Sequence, residues 1–248
     1  MDMGAHKQKG FVDIHTHLLF GVDDGAADLQ QSMELLAMAR ENGTTAVVLT
    51  PHHRGRFRKN TAEYLRQRFQ ELEACVKSEI PDMKLYLGNE AAHERELGDK
   101  VAEGRVLSLN DSNYVLLEFD FNSSRIQVVE ETMSLIGSGY TPIIAHAERY
   151  DIFRKNKKLA EELLYVGALI QLNADSILGK CGFATKRVCH RLLKKGMVHF
   201  VASDGHDSKE RPPVLKECFD YVAKRYGEDY AWVIFRDNAL DLLTGKWR

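Results

Sequence analysis

Seven short apolar runs, separated by stretches with helical periodicity, limit the folds open to this chain of 248 residues. Several of the runs are continuously apolar, which is typical of strands buried on both faces of a parallel sheet. The order of elements predicts one α/β domain, either a barrel or a doubly wound sheet. The predicted strands are 11–14, 45–50, 84–88, 114–119, 142–145, 168–172 and 198–202; the predicted helices are 28–42, 126–138, 157–166, 184–195 and 213–226, with one more starting at Thr61 and with Asp28 and Thr61 as caps.

Residue types that bind metals follow six of the seven predicted strands, and only the strand over 168–172 ends without one. Parallel barrels gather the carboxyl ends of their strands on one face, where active sites are built. A sheet with one reversal point would collect such groups from two or three strands, so we expect a closed or nearly closed barrel. The strand-end groups are His15, His17, His52, His53, Glu90, Glu118, His146, Glu148, Asp204 and His206.

The spacing of these groups favours a metal cluster over isolated buried side chains. His15 and His17 alternate along an extended chain and therefore point to the same side, as do Asp204 and His206. A single strand-end histidine is more often a satisfied structural residue, but Glu118 inside an apolar run would be costly to bury without a cation or a proton. Imidazole and carboxylate together suit Mn²⁺, Fe²⁺ or Zn²⁺ better than Mg²⁺.

Charge and composition restrict the class of partner. The formal net charge of −2 gives no overall attraction for nucleic acid, and we expect no nucleic-acid partner. No apolar run is long enough for a membrane span and residues 1–10 lack a signal-peptide core, so we expect a cytoplasmic protein without membrane insertion. The four cysteines form no C-x-x-C pair and are interpreted as reduced thiols. We expect residues 1–10 to be a flexible extension and 11–248 to form the domain.

Several longer phrases carry a family resemblance. They are DIHTHLLFGVDDGA, LTPHHRGRF, YLGNE, LSLNDSNYVLLEF, PIIAHAERY and HFVASDGHDSKERPP, which together span residues 13–213. The chain resembles the polymerase and histidinol phosphatase (PHP) superfamily, and within it the bacterial CpsB/YwqE-type manganese-dependent tyrosine phosphatases. The resemblance implies a distorted (β/α)7 barrel and three divalent ions, with manganese the usual metal and iron or zinc as alternatives.

The resemblance also implies roles for individual residues. Arg149 and Arg211 match phosphate-binding arginines, and Glu90 matches a bridging carboxylate. The family often has Ser-His-Arg where this chain has Pro51-His52-His53, so His53 remains the alternative ligand to His52. The implied metal ligands are His15, His17, Asp24, His52, Glu90, Glu118, His146, Asp204 and His206.

The predicted function is hydrolysis of phosphotyrosine by a metal-bridging hydroxide, without a phosphorylated enzyme intermediate. The C-x5-R spacing occurs once, from Cys181 to Arg187, but most of it falls in the predicted helix over 184–195 rather than in a loop, so a cysteine-dependent tyrosine phosphatase mechanism is not predicted. The implied partner is a phosphotyrosine-bearing protein, the tail of a bacterial tyrosine kinase that regulates capsule or exopolysaccharide synthesis. The alternatives are a small-molecule phosphatase acting on histidinol phosphate, a phosphodiesterase and a non-enzymatic binding module. The basic loop over 53–59 either guides an acidic substrate tail or is a solvated surface loop.

Overall fold

A computed structural model describes residues 10–246 as an α/β domain built around a curled parallel sheet. The extension expected over residues 1–10 lies outside the described residues except for Gly10. The strands are β1 (Phe11–Thr16), β2 (Thr44–Leu49), β3 (His52–His53), β4 (Lys84–Leu87), β5 (Glu90–Ala92), β6 (Tyr114–Glu118), β7 (Thr141–Ile144), β8 (Leu169–Asn173) and β9 (Phe200–Ala202).

Helices follow most of the strands. They are α1 (Leu29–Glu41), α2 (Ala62–Glu79), α3 (Leu97–Ala102), α4 (Arg125–Gly137), α5 (Asp151–Lys155), α6 (Leu159–Tyr165), α7 (Ala174–Leu178), α8 (Phe183–Lys194), α9 (Lys216–Tyr226), α10 (Glu228–Trp232) and α11 (Asn238–Leu243). Asp28 and Thr61 cap α1 and α2 as predicted, because their side chains accept the backbone N–H of Gln31 and Tyr64. The last predicted long helix begins at Lys216 rather than at 213, after an irregular segment that contains two prolines.

All strand pairings are parallel, and the strands follow the order β1-β2-β4 and β3-β5-β6-β7-β8-β9. Since β3 continues β2 and β5 continues β4, the chain forms seven strands in the predicted order. The end of β9 returns to β1: the Asp204 N–H donates to His15 O at 3.0 Å, and the His17 N–H donates to Gly205 O at 2.9 Å. The expected distorted seven-stranded α/β barrel is confirmed.

The two interrupted strands are the main distortion of the barrel, and Asn89 fills the gap between them. Its side-chain amide donates to Pro51 O at 2.9 Å, and its Oδ1 accepts the Leu107 N–H at 2.9 Å. Gly88 is required beside it, because a Cβ there would lie 2.7 Å from the Leu109 side chain. The interruption sets the positions of β3 and β5, the two short strands that begin with His52 and Glu90.

Two buried layers support the barrel. Apolar side chains of the strands, with Leu242 and Leu243 of α11, form one core cluster. An aromatic group joins the barrel to its helices: Phe11 of β1 packs against Phe219 of α9 and Trp232 of α10, with centroid distances of 5.1 and 5.8 Å. These layers occupy the barrel and its outer face, so the polar groups gather where the strands end.

Candidate metal centre

The carboxyl ends of the strands bring all nine proposed ligands together. Their ligand atoms form four sets in which the atoms of each set lie within 4.8 Å of one another. His15, His17, His52 and Glu90 each belong to two sets, so the sets form one continuous centre. The sets are His17, Asp24, His52 and His206; His15, Glu90 and His146; His15, His17 and Asp204; and His52, Glu90 and Glu118.

Glu90 lies at the middle of this centre and is fully buried. Its Oε1 is 2.7 Å from His146 Nε2, and its Oε2 is 2.7 Å from His52 Nδ1. Burial alone would raise the pKa of this carboxyl, but His15 and His52 outweigh it and hold the pKa well below its usual range. Glu90 therefore offers one ionised oxygen to each side of the centre, as a bridging carboxylate must.

The pKa of Glu118 is shifted in the opposite direction from that of Glu90. Burial, together with the negative charge of Glu90, raises its pKa to about 7. Its Oε1 accepts a hydrogen bond from Arg54 at 2.7 Å, while its Oε2 is buried without a hydrogen-bond partner in the described chain. His206 Nε2 is buried and unpartnered in the same way. Divalent cations would satisfy both atoms, so the donor set fits a metal centre.

Two of the proposed ligands lie on strained backbone. His146 has φ of 31° and Asp204 has φ of 55°, in the left-handed region that residues other than glycine rarely occupy. Hydrogen bonds hold both peptides there, since Gln171 Oε1 accepts the His146 N–H at 2.8 Å and His15 O accepts the Asp204 N–H. The turn that each residue makes at the end of its strand directs its side chain into the centre.

Amide side chains of β8 contact three of the proposed ligands, which are His15, His146 and Asp204. Gln171 Oε1 lies 3.1 Å from His15 Nδ1, and Gln171 Nε2 donates to Asn173 Oδ1 at 2.8 Å. Asn173 Nδ2 then donates to Asp204 Oδ2 at 2.8 Å. With its Nδ1–H donated to Gln171, His15 presents Nε2 to the centre, which is the tautomer a metal ligand requires. The one strand that ends without a metal-binding residue thus orients those on both sides.

Asp23 is a candidate site residue that the sequence analysis does not identify. Its Oδ2 lies 2.6 Å from His17 Nδ1 and accepts the His52 N–H at 3.0 Å, while its Oδ1 accepts the Gly25 N–H at 3.1 Å. The resemblance implies a ligand role only for its neighbour Asp24, which lies near His52 and His206. The doubled aspartate of the VDDG phrase was the available signal. Asp24 faces the centre, whereas Asp23 holds the His17 ring and the His52 backbone.

Three arginines stand at the rim. Arg149 Nη1 donates to Asp204 Oδ2 at 3.0 Å, and Arg211 Nη2 lies 3.8 Å from Asp24 Oδ2. Arg54, which belongs to the basic loop over 53–59, contacts Glu118. Their partly exposed guanidinium groups place positive charge around the opening of the centre.

The remaining histidines of the described chain lie outside the four ligand sets. His53 Nε2 is 3.7 Å from Glu94, on the far side of β3 from the centre, whereas His52 belongs to two sets. The geometry therefore favours His52 over His53 as the ligand. His93, His190 and His199, which the sequence analysis did not assign, pair with Gln127, Tyr226 and the backbone of Ile170.

A known protein family matches nearly the whole chain. The model of the family "Capsular polysaccharide synthesis, CpsB/CapC" matches residues 11–244. The chain belongs to this family. Its relatives include the tyrosine-protein phosphatase CpsB of Streptococcus pneumoniae, 33% identical over 95% of this chain and 99% of the relative. The tyrosine-protein phosphatase YwqE of Bacillus subtilis is 33% identical over 95% of this chain and 92% of the relative.

Solved structures agree with this family membership. A crystal structure reported for YwqE of Bacillus subtilis and CpsB of Streptococcus pneumoniae, described as metal-dependent tyrosine phosphatases, matches with a TM-score of 0.88. The sequence identity is 32%, over 95% of each chain. A lactonase from Listeria monocytogenes matches with a TM-score of 0.60 at 12% identity, over 96% of this chain and 95% of the other. It shares the fold alone.

Within residues 10–246, no helix combines the length and the apolar character that crossing a bilayer requires.

Proposed function

We propose that this protein is a metal-dependent protein-tyrosine phosphatase. The observation that carries the proposal is the centre of nine imidazole and carboxylate ligands, with arginines at its rim, in a member of the CpsB/CapC family. Relatives and a matching structure named as tyrosine phosphatases support the reaction class.

The centre is proposed to hold three divalent ions, with Mn²⁺ as the first candidate and Fe²⁺ or Zn²⁺ as alternatives. The proposed ligands are the nine residues already described, with Glu90 shared between sets. Bound divalent ions supply acidity for water near neutral pH and withdraw charge from phosphoryl oxygens. Three such ions outweigh the charge of four carboxylates, so a positive centre would attract a phosphate monoester.

Arg149 and Arg211 are proposed to bind the phosphoryl oxygens. Both guanidinium groups are partly exposed and sit at the edge of the centre, beside Asp204 and Asp24. A guanidinium can donate two parallel hydrogen bonds to a phosphate and keeps its charge at any working pH. Arg149 and Arg211 therefore orient the phosphorus for in-line attack and stabilise charge that builds on its oxygens.

The leaving group explains why a protein of this design needs no dedicated proton donor. A phenol has a pKa near 10, so departure of a tyrosinate needs less proton assistance than departure of an alkoxide. Phosphotyrosine is the phosphoamino acid best suited to a site that relies on charge stabilisation and positioning.

Phe121 offers a surface for the phenol ring of the substrate. Its ring is 48% exposed, it lies beneath the Arg149 guanidinium at 4.9 Å, and its centroid is 6.3 Å from that of His146. Aromatic rings at such separations attract each other beyond simple burial. The ring can favour phosphotyrosine over phosphoserine, whose short side chain does not reach an equivalent surface.

The proposed substrate is a phosphotyrosine-bearing protein, the tail of a bacterial tyrosine kinase that acts in capsule synthesis. The capsular polysaccharide family supports that context. The proposed compartment is the cytoplasm: Cys75, Cys181, Cys189 and Cys218 are all free thiols, as a reducing environment would keep them.

The test is to remove metals, restore Mn²⁺ and compare turnover of a phosphotyrosyl peptide, a phosphoseryl peptide, histidinol phosphate and a phosphodiester. We expect metal-dependent activity chiefly on phosphotyrosine, lost in His15→Ala and retained in His190→Ala, whose ring lies on α8 beside Tyr226. A preference for histidinol phosphate or for the diester would overturn the substrate assignment. No turnover with Mn²⁺, Fe²⁺ or Zn²⁺ would overturn the enzyme assignment.

A further inference from the structure

The basic loop over 53–59 contains two kinds of cation. Arg54 is paired with Glu118 at 2.7 Å, and Arg58 is paired with Glu94 at 3.3 Å. Arg56 and Lys59 are exposed and form no ion pair with any residue between 10 and 246. The loop therefore has two charges fixed by the protein itself and two charges available to a ligand.

The two available cations line one cavity. It has a volume of about 580 Å³, and its lining includes Arg56, Phe57, Lys59 and Tyr64 as well as Asp23. The Asp23 carboxylate accepts hydrogen bonds from His17 and from backbone N–H groups, and within residues 10–246 it forms no ion pair with Arg56 or Lys59. The space presents two uncompensated positive charges and two aromatic rings, a lining that suits an anion carried on an apolar stem.

The cavity adjoins the metal centre. The Phe57 ring is stacked on the His52 ring, with centroids 6.0 Å apart and planes inclined by 13°. Asp23 lines the cavity, and its Oδ2 lies 2.6 Å from Nδ1 of His17 in the metal centre. A peptide whose phosphorylated residue reaches the centre can therefore place a nearby side chain in the cavity.

We propose that this cavity is a subsite for a second anionic side chain of the substrate, next to the phosphotyrosine in the peptide. The proposal rests on the proposed phosphatase function and names the feature of the substrate that the site would select. Arg56 and Lys59 bind the anion, while Phe57 and Tyr64 contact the stem that carries it. The anion is a carboxylate from a neighbouring acidic residue or a phosphate from a second phosphotyrosine, and these two sources differ in length and aromatic character.

Binding of non-hydrolysable peptides tests the subsite without relying on turnover. Each peptide carries a phosphonate analogue of phosphotyrosine at its centre. One flanking position at a time is occupied by glutamate, by a second phosphonate analogue or by glutamine. Dissociation constants are measured by fluorescence anisotropy on the Mn²⁺-loaded protein, for the wild type, for Arg56→Gln/Lys59→Gln and for Lys224→Gln. Lys224 is an exposed lysine of α9 that makes the control for loss of surface charge.

We expect an anion at a favoured position to tighten binding about fivefold over glutamine in the wild type, as one or two partly exposed charge pairs would. That advantage should fall below about twofold in the double variant and persist in Lys224→Gln. A larger gain from glutamate identifies the carboxylate source, and a larger gain from the second phosphonate identifies the phosphate source.

Three results would overturn the subsite: no anion advantage at any position, an advantage retained by the double variant, or an equal loss in Lys224→Gln. Turnover of the matching glutamine peptide, with true phosphotyrosine, is measured separately. Absence of that turnover would overturn the phosphatase function whatever the anion preference, so the two failures are distinguishable.

Discussion

Replacing Asp23 by asparagine tests whether the buried carboxylate behind His17 determines metal affinity. The carboxylate accepts three hydrogen bonds, from the His17 ring and from the backbone of His52 and Gly25. An amide has one oxygen and one NH₂ group, so at least one of these donors must face another donor. A neutral amide oxygen is also a weaker acceptor than a carboxylate, so it holds the His17 ring less firmly in the tautomer that presents Nε2 to the centre.

The size of the effect follows from the role of such partners. Outer carboxylates behind ligating histidines are typically worth 10- to 100-fold in metal affinity, or about 1.4–2.8 kcal/mol. We expect Asp23→Asn to weaken Mn²⁺ binding within this range, measured by competition with a chelator of known affinity. Asp28→Asn is the matched control, because it removes the same charge and asparagine caps a helix as well as aspartate does.

An Asp23→Asn protein that binds Mn²⁺ within twofold of the wild type would refute this reasoning. The same conclusion would follow if Asp28→Asn lost as much affinity, since the effect would then reflect total charge. In neither case could the hydrogen bond to His17 be the origin of the affinity.

Three further predictions concern stability and selectivity. Burial lowers the pKa of His199 to about 4, so between pH 7 and pH 5 the unfolded chain binds a proton that the folded chain excludes. The free energy of unfolding, measured with urea, should therefore fall by about 2 kcal/mol between these two pH values because of His199, and His199→Asn should lack this part of the loss. Asn89→Ala leaves the Leu107 N–H unpaired and leaves Pro51 O with only the Glu90 N–H at 3.2 Å, so it should lower the free energy of unfolding by about 1–3 kcal/mol. A loss below about 0.5 kcal/mol would contradict the role of Asn89 in the strand break. Phe121→Ala should reduce the ratio of kcat/KM for phosphotyrosyl over phosphoseryl peptides by about two- to tenfold, and an unchanged ratio would show that the ring does not contact substrate.

The barrel was predictable because its signals are local and repeated. Each strand is an apolar run followed by a polar group, and one such group per strand is enough to select a fold that gathers strand ends. Caps such as Asp28 and Thr61 were predictable for the same reason, since a cap depends on its own helix alone. Short helices such as α3 and α7 carry too few residues to show a period.

The interruption between β4 and β5 was not predictable from the apolar pattern. It depends on Asn89 bridging two backbone segments, Pro51 and Leu107, that are distant in sequence. The positioning role of Gln171 was hidden for a related reason: an amide at a strand end is common, and only its contact with His15 reveals what it does. Partners of a ligand are set by tertiary contacts, whereas the ligand itself carries a chemical signature.

The pairing of Arg58 with Glu94 also changes the interpretation of the basic loop. The four cations of the loop cannot be told apart from the sequence. In the structure, Arg54 and Arg58 are paired with carboxylates, whereas Arg56 and Lys59 are not. No local pattern encodes that division, because both acidic partners come from other strand ends.

The closure of β9 onto β1 has a consequence for how the protein acquires its metals during synthesis. Asp13 and Ser203 are hydrogen-bonded across 190 residues of sequence, and the proposed ligands extend from His15 to His206. A chain still emerging from the ribosome therefore lacks a complete set of ligands until almost all of it has been made. Metal loading would then be a late event that follows translation, and ions captured earlier would be held by partial sets with weaker discrimination among metals.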